Sequence, residues 1–277
     1  MRKIGVHLPT NGKLLSVFQK ADELDITCMQ IFTASNRQLA IGYEIDKDIA
    51  ASFKKKSSYT VISHAGYLLN IASSSDSVFR NAIAGLISEI ERCKQLGIDY
   101  IVLHPGSNPD FNKAAEQIEK ACKEIIPHCS ANMKIVLENS AGQGNSIPFT
   151  IEQIKIMNNK LHALKKHIGW CIDTCHAHVA CADFSDKQAQ ADFWQELDKA
   201  IGISSVDLIH CNDSKKPYNS HVDRHEFLGK GTIGKKGFDY LLNNPLLKHI
   251  PLILEVPIDT YVDYKEDLSF IKQNQSN

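Results

Sequence analysis

Charge of one sign is what this chain lacks. Lys and Arg total 31 against 32 Asp and Glu, for a formal net charge of −1. No global field therefore directs it to nucleic acid or to a membrane surface. Long apolar runs are missing too. PLILEVP, near the C-terminus, is broken by proline and glutamate, and nothing approaches the roughly 20 apolar residues of a membrane span. The start, MRKIGVHLPTNGK, lacks a signal-peptide core and enters a strand-like segment at once, which makes a cytoplasmic protein the expectation. The eight cysteines form no paired CxxC clusters and read as reduced, buried small hydrophobes. No sequence repeat, low-complexity tract or linker interrupts the chain. Residues 1–277 are therefore expected to form a single domain with a sizeable core.

What is present is a series of eight short apolar runs: IGVHL (4–8), MQIFT (29–33), TVISH (60–64), YIVLH (100–104), KIVLE (134–138), GWCID (169–173), VDLIH (206–210) and PLILE (251–255). Between them lie segments with helical periodicity. Residues 76–96 space Val78, Ala82, Leu86, Ile90 and Cys93 at three and four, between Asp76 as N-cap and Gly97 as stop. Residues 112–126, 186–201 and 260–272 read as helices, and Thr150 with Gln153 forms a capping-box signature. Alternating strands and helices imply a parallel sheet with helices outside. Eight such units predict an α/β fold, a closed TIM (β/α)8 barrel. The stretch 211–236 lacks clear periodicity, as functional loops often do.

The last six runs end on His64, His104, Glu138, Asp173, His210 and Glu255. Barrel enzymes keep their chemistry at the C-terminal strand ends. One histidine after an apolar run is usually structural. Six His, Asp and Glu at corresponding positions are harder to explain, because carboxylates buried together without cations are strongly unfavourable. Divalent metals remove that cost, and this donor mix suits zinc or manganese. Two more clusters add donors. In DTCH, His176 lies three residues beyond Asp173. In Asp223-Arg224-His225, an extended backbone would point both outer side chains one way. Alone, each pair would read as a cap or a surface salt bridge. With the strand ends they make nine candidate ligands, suited to three metals sharing a carboxylate. His7 is expected to line the pocket without binding metal. The other histidines read as surface or packing residues.

Gly229-Lys-Gly231-Thr-Ile-Gly234 fits GxGxxG but lacks the strand-turn-helix context of a dinucleotide site. Its glycines read instead as letting backbone approach the metal pocket or a phosphate. Lys215, Lys216, Arg224, Lys230, Lys235 and Lys236 crowd the same region. They form either a solvated surface or a seat for a phosphodiester backbone.

With these motifs in hand, the sequence resembles the endonuclease IV family of apurinic/apyrimidinic (AP) endonucleases over nearly its whole length. The resemblance rests on His64-Ala-Gly-Tyr67-Leu68-Leu-Asn70, His104-Pro-Gly-Ser, Glu138-Asn-Ser-Ala-Gly-Gln-Gly, Cys171-Ile-Asp173-Thr-Cys-His176, and His210-Cys-Asn-Asp213-Ser-Lys215 with Asp223-Arg-His225. It implies a zinc-dependent TIM barrel that cleaves double-stranded DNA 5′ to abasic sites, leaving a 3′-hydroxyl and a 5′-deoxyribose phosphate. It also implies three zinc ions: one on His64, His104 and Glu138, one on Glu138, Asp173, His210 and Glu255, and one on His176, Asp223 and His225. Glu255 and the bridging Glu138 would position the attacking hydroxide. Arg37, Tyr67 and Leu68 would wedge into the minor groove. A monomer is expected. Departures from the family pattern fall in loops: Asn219 stands where glycine is favoured, Leu39 replaces a frequent aromatic residue, and Pro9-Thr10 replaces small residues. Two rivals stay open: a metal-dependent sugar isomerase or epimerase on a related barrel, and a module that binds abasic DNA without cutting it.

Overall fold

All eight apolar runs become strands, because β-branched and aliphatic residues fit a pleated surface buried on both faces. The computed structural model describes residues 2–275. Its strands are β1 (Ile4–His7), β2 (Cys28–Ile31), β3 (Thr60–His64), β4 (Tyr100–Leu103), β5 (Lys134–Glu138), β6 (Ile168–Asp173), β7 (Val206–His210), β8 (Asp213–Ser214), β9 (His225–Glu226) and β10 (Leu252–Leu254). Eight of them form a closed parallel barrel in the order β1-β10-β7-β6-β5-β4-β3-β2, while β8 and β9 form a small antiparallel pair. That pair lies inside the aperiodic stretch 211–236, where two-residue strands are too short to show a period.

The helices are α1 (Ser16–Leu24), α2 (Lys47–Lys54), α3 (Asp76–Leu96), α4 (Phe111–Ile125), α5 (Ile151–Lys160), α6 (Thr174–Ala180), α7 (Lys187–Ile201), α8 (Gly234–Leu242) and α9 (Tyr264–Asn274). Their ends follow capping chemistry. The Asp110 side chain accepts from the backbone N–H groups of Asn112 and Lys113, which starts α4 at Phe111. Thr150 caps α5 by accepting from Gln153 N–H. The Gln153 side chain reaches back one residue further, to Phe149 N–H at 2.9 Å. Gly97, at φ 74°, lets its N–H close α3 onto Cys93 and Lys94 carbonyls. The C-terminal helix differs from its predicted span: residues 261–263 form a 3-10 turn, and α9 proper begins at Tyr264.

Two apolar regions result. One large cluster fills the space between the strands and the surrounding helices. The other lies within the barrel and consists of Cys28, Ile62, Val102, Val136, Cys171, Leu208 and Ile253. β1 contributes Gly5 between Cys28 and Ile253, where an added Cβ would lie 2.2 Å from the Cys28 carbonyl oxygen. Cys28 and Cys171 thus act as small core residues, and no cysteine among the described residues is paired in a disulfide.

Candidate metal centre

The site follows from strand periodicity. Successive side chains alternate across a strand, so the residue two beyond an inward-facing one also faces inward. Two residues beyond the interior cluster and Gly5 stand His7, Gln30, His64, His104, Glu138, Asp173, His210 and Glu255. The top of the barrel is therefore one polar layer with a member from every strand.

Within and above this layer the donors gather in groups. Ligand atoms of His64, His104 and Glu138 lie within 4.8 Å of one another, as do those of His176, Asp223 and His225, and those of Glu138, Asp173, His210 and Glu255. A tetrahedral ion with ligands at about 2.0–2.1 Å separates its donors by about 3.3–3.4 Å. Glu138 Oε2 lies 3.4 Å from His64 Nε2 and 3.4 Å from His104 Nε2. His176 Nε2 lies 3.2 Å from Asp223 Oδ2, and His225 Nε2 lies 3.3 Å from Asp223 Oδ1. His210 Nδ1 lies 3.0 Å from both Glu138 Oε1 and Glu255 Oε2. Glu138 belongs to two groups, one oxygen turned to each.

The far side of each imidazole decides what the near side offers. His64 Nδ1 is 2.7 Å from the Ala65 carbonyl, His176 Nδ1 2.9 Å from that of Asn139, and His225 Nδ1 3.0 Å from that of Glu255. Each carbonyl can only accept, so Nδ1 keeps its proton there and Nε2 is the nitrogen left to face inward as a ligand atom. Glu138 Oε2 and His225 Nε2 are buried without any hydrogen-bond partner. Ring nitrogens facing carboxylate oxygens leave a place for positive charge, and the donor set fits a divalent cation.

Electrostatics give the same reading. Burial pushes the Glu138 carboxyl up, but His104, His210 and His64 around it hold it well below the usual range. Burial raises Glu255 as well, and His210, His7 and His64 reverse it. For Asp223, burial is outweighed by His176, then His225 and His104. Burial pulls His176 down, yet Asp173, Asp223 and Glu138 draw it well above its ordinary value. The carboxylates are held ionised by positive charge on the histidines between them, a role that a bound divalent cation would share.

A family model described as "Xylose isomerase-like TIM barrel" matches residues 18–274. A probable endonuclease 4 from Thermosipho melanesiensis is 36% identical over 97% of this chain and 96% of its own length. Another, from Persephonella marina, is 35% identical over 93% of this chain and 92% of its own. The chain belongs to the endonuclease IV family. It is an enzyme of the AP endonuclease class, a phosphodiester hydrolase. The crystal structure of endonuclease IV from Thermus thermophilus has the same fold, with a TM-score of 0.84, 26% identity, and coverage of 98% of this chain and 99% of that one.

In this endonuclease IV fold Tyr67, among the predicted wedge residues, stands beside the polar layer. Arg37 is exposed, and Tyr67 and Leu68 are 61% and 54% exposed, high for apolar side chains. Tyr67 N–H donates to the Asn36 carbonyl at 3.3 Å, tying the loop after β3 to the loop after β2. The Tyr67 ring packs near Phe32 and His64, at centroid distances of 5.6 and 5.8 Å. A cavity of about 1110 Å³ opens over the layer, lined by His7, His64, Tyr67, His104, His225 and Glu255 among others.

The glycine-rich loop has a different task from the predicted one. Asp213 Oδ2 accepts from Gly229, Gly231 and Gly234 N–H at 2.9, 2.9 and 3.2 Å, and Oδ1 accepts from Ile233 N–H at 3.0 Å. The loop forms an anion-binding nest, and a carboxylate of the same chain fills it. An added Cβ at Gly231 would lie 2.3 Å from the Ser214 carbonyl oxygen, so glycine here serves the β8 contact. The basic residues nearby are partly neutralised: Lys230 pairs with Glu266 at 2.8 Å and Lys215 with Glu226 at 3.9 Å. Sequence reasoning missed Gln30 and Asn212. Asn212 donates to Asp173 Oδ2 at 2.6 Å and accepts from Glu255 N–H at 2.8 Å, bracing two strand ends.

Proposed function

We propose that this chain is a zinc-dependent DNA repair endonuclease that cuts the phosphodiester 5′ to an abasic site in duplex DNA. The products are a 3′-hydroxyl and a 5′-deoxyribose phosphate. The observation that carries this reading is Glu138, which faces His64 and His104 with one oxygen and His210 with the other. One carboxylate shared between two donor groups suits a clustered site, and the third group stands beside it. Three zinc ions are assigned: His64, His104 and Glu138 hold the first; Glu138, Asp173, His210 and Glu255 the second; His176, Asp223 and His225 the third.

When bound, zinc supplies Lewis acidity, polarising the phosphate and lowering the pKa of water to about 7. The chain does the positioning. The Glu255 side chain is 15% accessible while that of Glu138 is wholly buried, so of the two glutamates Glu255 is the one that meets solvent at the mouth. With Glu138 it positions the attacking water, whose proton passes to solvent, and solvent returns a proton to the 3′-oxygen as it departs. As the new oxygen–phosphorus bond forms, the bond to the 3′-oxygen breaks, and that oxygen leaves as the hydroxyl. Arg37, Tyr67 and Leu68 occupy the space of the missing base. Every assigned residue comes from one chain, so a monomer suffices.

A sugar isomerase would use strand-end carboxylates and histidines, but it gives His176, Asp223 and His225 no task. The test is a nicking assay on a duplex with one abasic site, before and after metal removal. Cutting immediately 5′ to the lesion that is lost with metal and restored by zinc is expected. An uncut duplex with fully loaded protein would overturn the reading.

A further inference from the structure

We propose that Gln30 is a positioning residue of the hydrolytic centre, locking Glu255 and His210 into one arrangement through a single side-chain amide. The inference rests on the metal-dependent reading above. Gln30 is fully buried in the polar layer at the end of β2. Its Nε2 donates to Glu255 Oε1 at 2.6 Å and lies 2.9 Å from His7 Nδ1. Its Oε1 lies 2.9 Å from His210 Nε2. Barrel order places β1 between β2 and β10, so the amide reaches past one strand to hold the residue after β10.

The orientation of the amide follows from chemistry. Flipped, its oxygen would face a carboxylate oxygen at 2.6 Å, two acceptors with no proton between them. Held as it is, the oxygen takes the His210 Nε2 proton. His210 Nδ1 is then left as a lone pair facing Glu138 and Glu255 oxygens, both at 3.0 Å. Glu255 Oε1 is occupied by Gln30, so Oε2 is the oxygen turned to the centre. A buried amide with both ends used is there for its hydrogen bonds. Partners of this kind around a metal site typically cost 10–100-fold in metal affinity or activity when lost.

The experiment compares Gln30→Met and Gln30→Ala with the unaltered chain, all zinc-loaded. Methionine keeps length and packing but neither donates nor accepts strongly. Three quantities are read: zinc release to a chromophoric chelator, kcat and KM for abasic nicking, and melting temperature. Release of one zinc at about 10–100-fold lower chelator concentration is expected, with kcat reduced by a similar factor and KM within about twofold. In a Glu255→Gln background the same change should shift zinc release much less, because the shared partner is already altered. Unchanged zinc release and kcat in Gln30→Met, or equal shifts in both backgrounds, would overturn the proposal. A lower melting temperature with normal zinc release and kcat would make Gln30 a packing residue and overturn it too. If the unaltered chain neither holds zinc nor nicks, the functional reading itself fails and takes this inference with it.

Discussion

The backbone N–H of Asp223 donates to the side-chain oxygen of Gln143 at 3.2 Å. A ligand candidate far along the chain is thereby pinned to the loop after β5, whose strand ends on Glu138. Asp223 is 45% exposed at its side chain and lies outside the barrel strands. Removing it should therefore empty a site without unfolding the barrel. Asp223→Ala or His225→Ala should hold about one zinc fewer per chain than the three proposed, with melting changed little. Elemental analysis of protein purified without chelators measures this. Full zinc content in either variant would refute the third group.

Glu255→Gln keeps the size of the side chain and removes its charge. Glu255 is assigned to meet the attacking water, so nicking should fall by at least ~100-fold, the scale of a major transition-state contact. Affinity for abasic duplex should persist, since the proposed wedge residues Arg37, Tyr67 and Leu68 are untouched. Single-turnover nicking and a binding titration on the same variant separate the two effects. A variant that nicks at the normal rate would remove Glu255 from the centre.

Asp267 offers a test of stability away from the metals. It is buried, accepts Leu228 N–H at 3.1 Å with Oδ1, and leaves Oδ2 without a partner. Burial lifts its pKa from the ordinary 3.8 to about 7, against the pull of the Leu228 bond and Lys230, with Glu266 and Asp213 adding to the rise. The folded value lies above the unfolded one. Its contribution is therefore fully present below about pH 4 and is lost as pH rises through about 7. Asp267→Asn cannot ionise. Its melting temperature should gain on the unaltered chain from pH 5 to pH 8, by roughly 3–8 °C at the upper end. A difference that stays constant with pH would reject this.

How much of the molecule is legible in its sequence differs by element. The strands can be read because each is a run of aliphatic residues, and the runs for β3, β5 and β7 coincide with the observed bounds. α1 does not stand out, although Val17, Phe18, Ala21 and Leu24 bury one face of it. Its nine residues hold too few turns to show a period beside α3. Gln30 is hidden because the second run reads as ending on Thr33. Counting in twos from Cys28 places Gln30 in line with His64 and His104. The Asp213 nest is not legible at all: its hydrogen bonds join residues far apart in sequence, and the glycines alone do not say which anion they hold.

Lesion recognition is the claim that leans most on exposed side chains. An abasic site lacks a base, so stacking is weak there and the backbone can turn outward at low cost. An apolar or flat wedge entering from the minor groove fills the gap. Tyr67 and Leu68 stand in the loop directly after β3, whose last residue is His64, and the Tyr67 ring lies 5.8 Å from that of His64. Arg37 stands in the loop joined to it through Asn36. Arg37→Ala and the double change Tyr67→Ala/Leu68→Ala should weaken binding to abasic duplex by ~1–3 kcal/mol, the scale of a stacking contact. Zinc content should not change. Binding to intact duplex should fall less, because phosphate contacts dominate there. Titrations of both duplexes against each variant measure the difference. Equal losses on damaged and intact DNA would make these residues backbone contacts only. No loss on either would make them packed loop residues, with the lesion selected elsewhere.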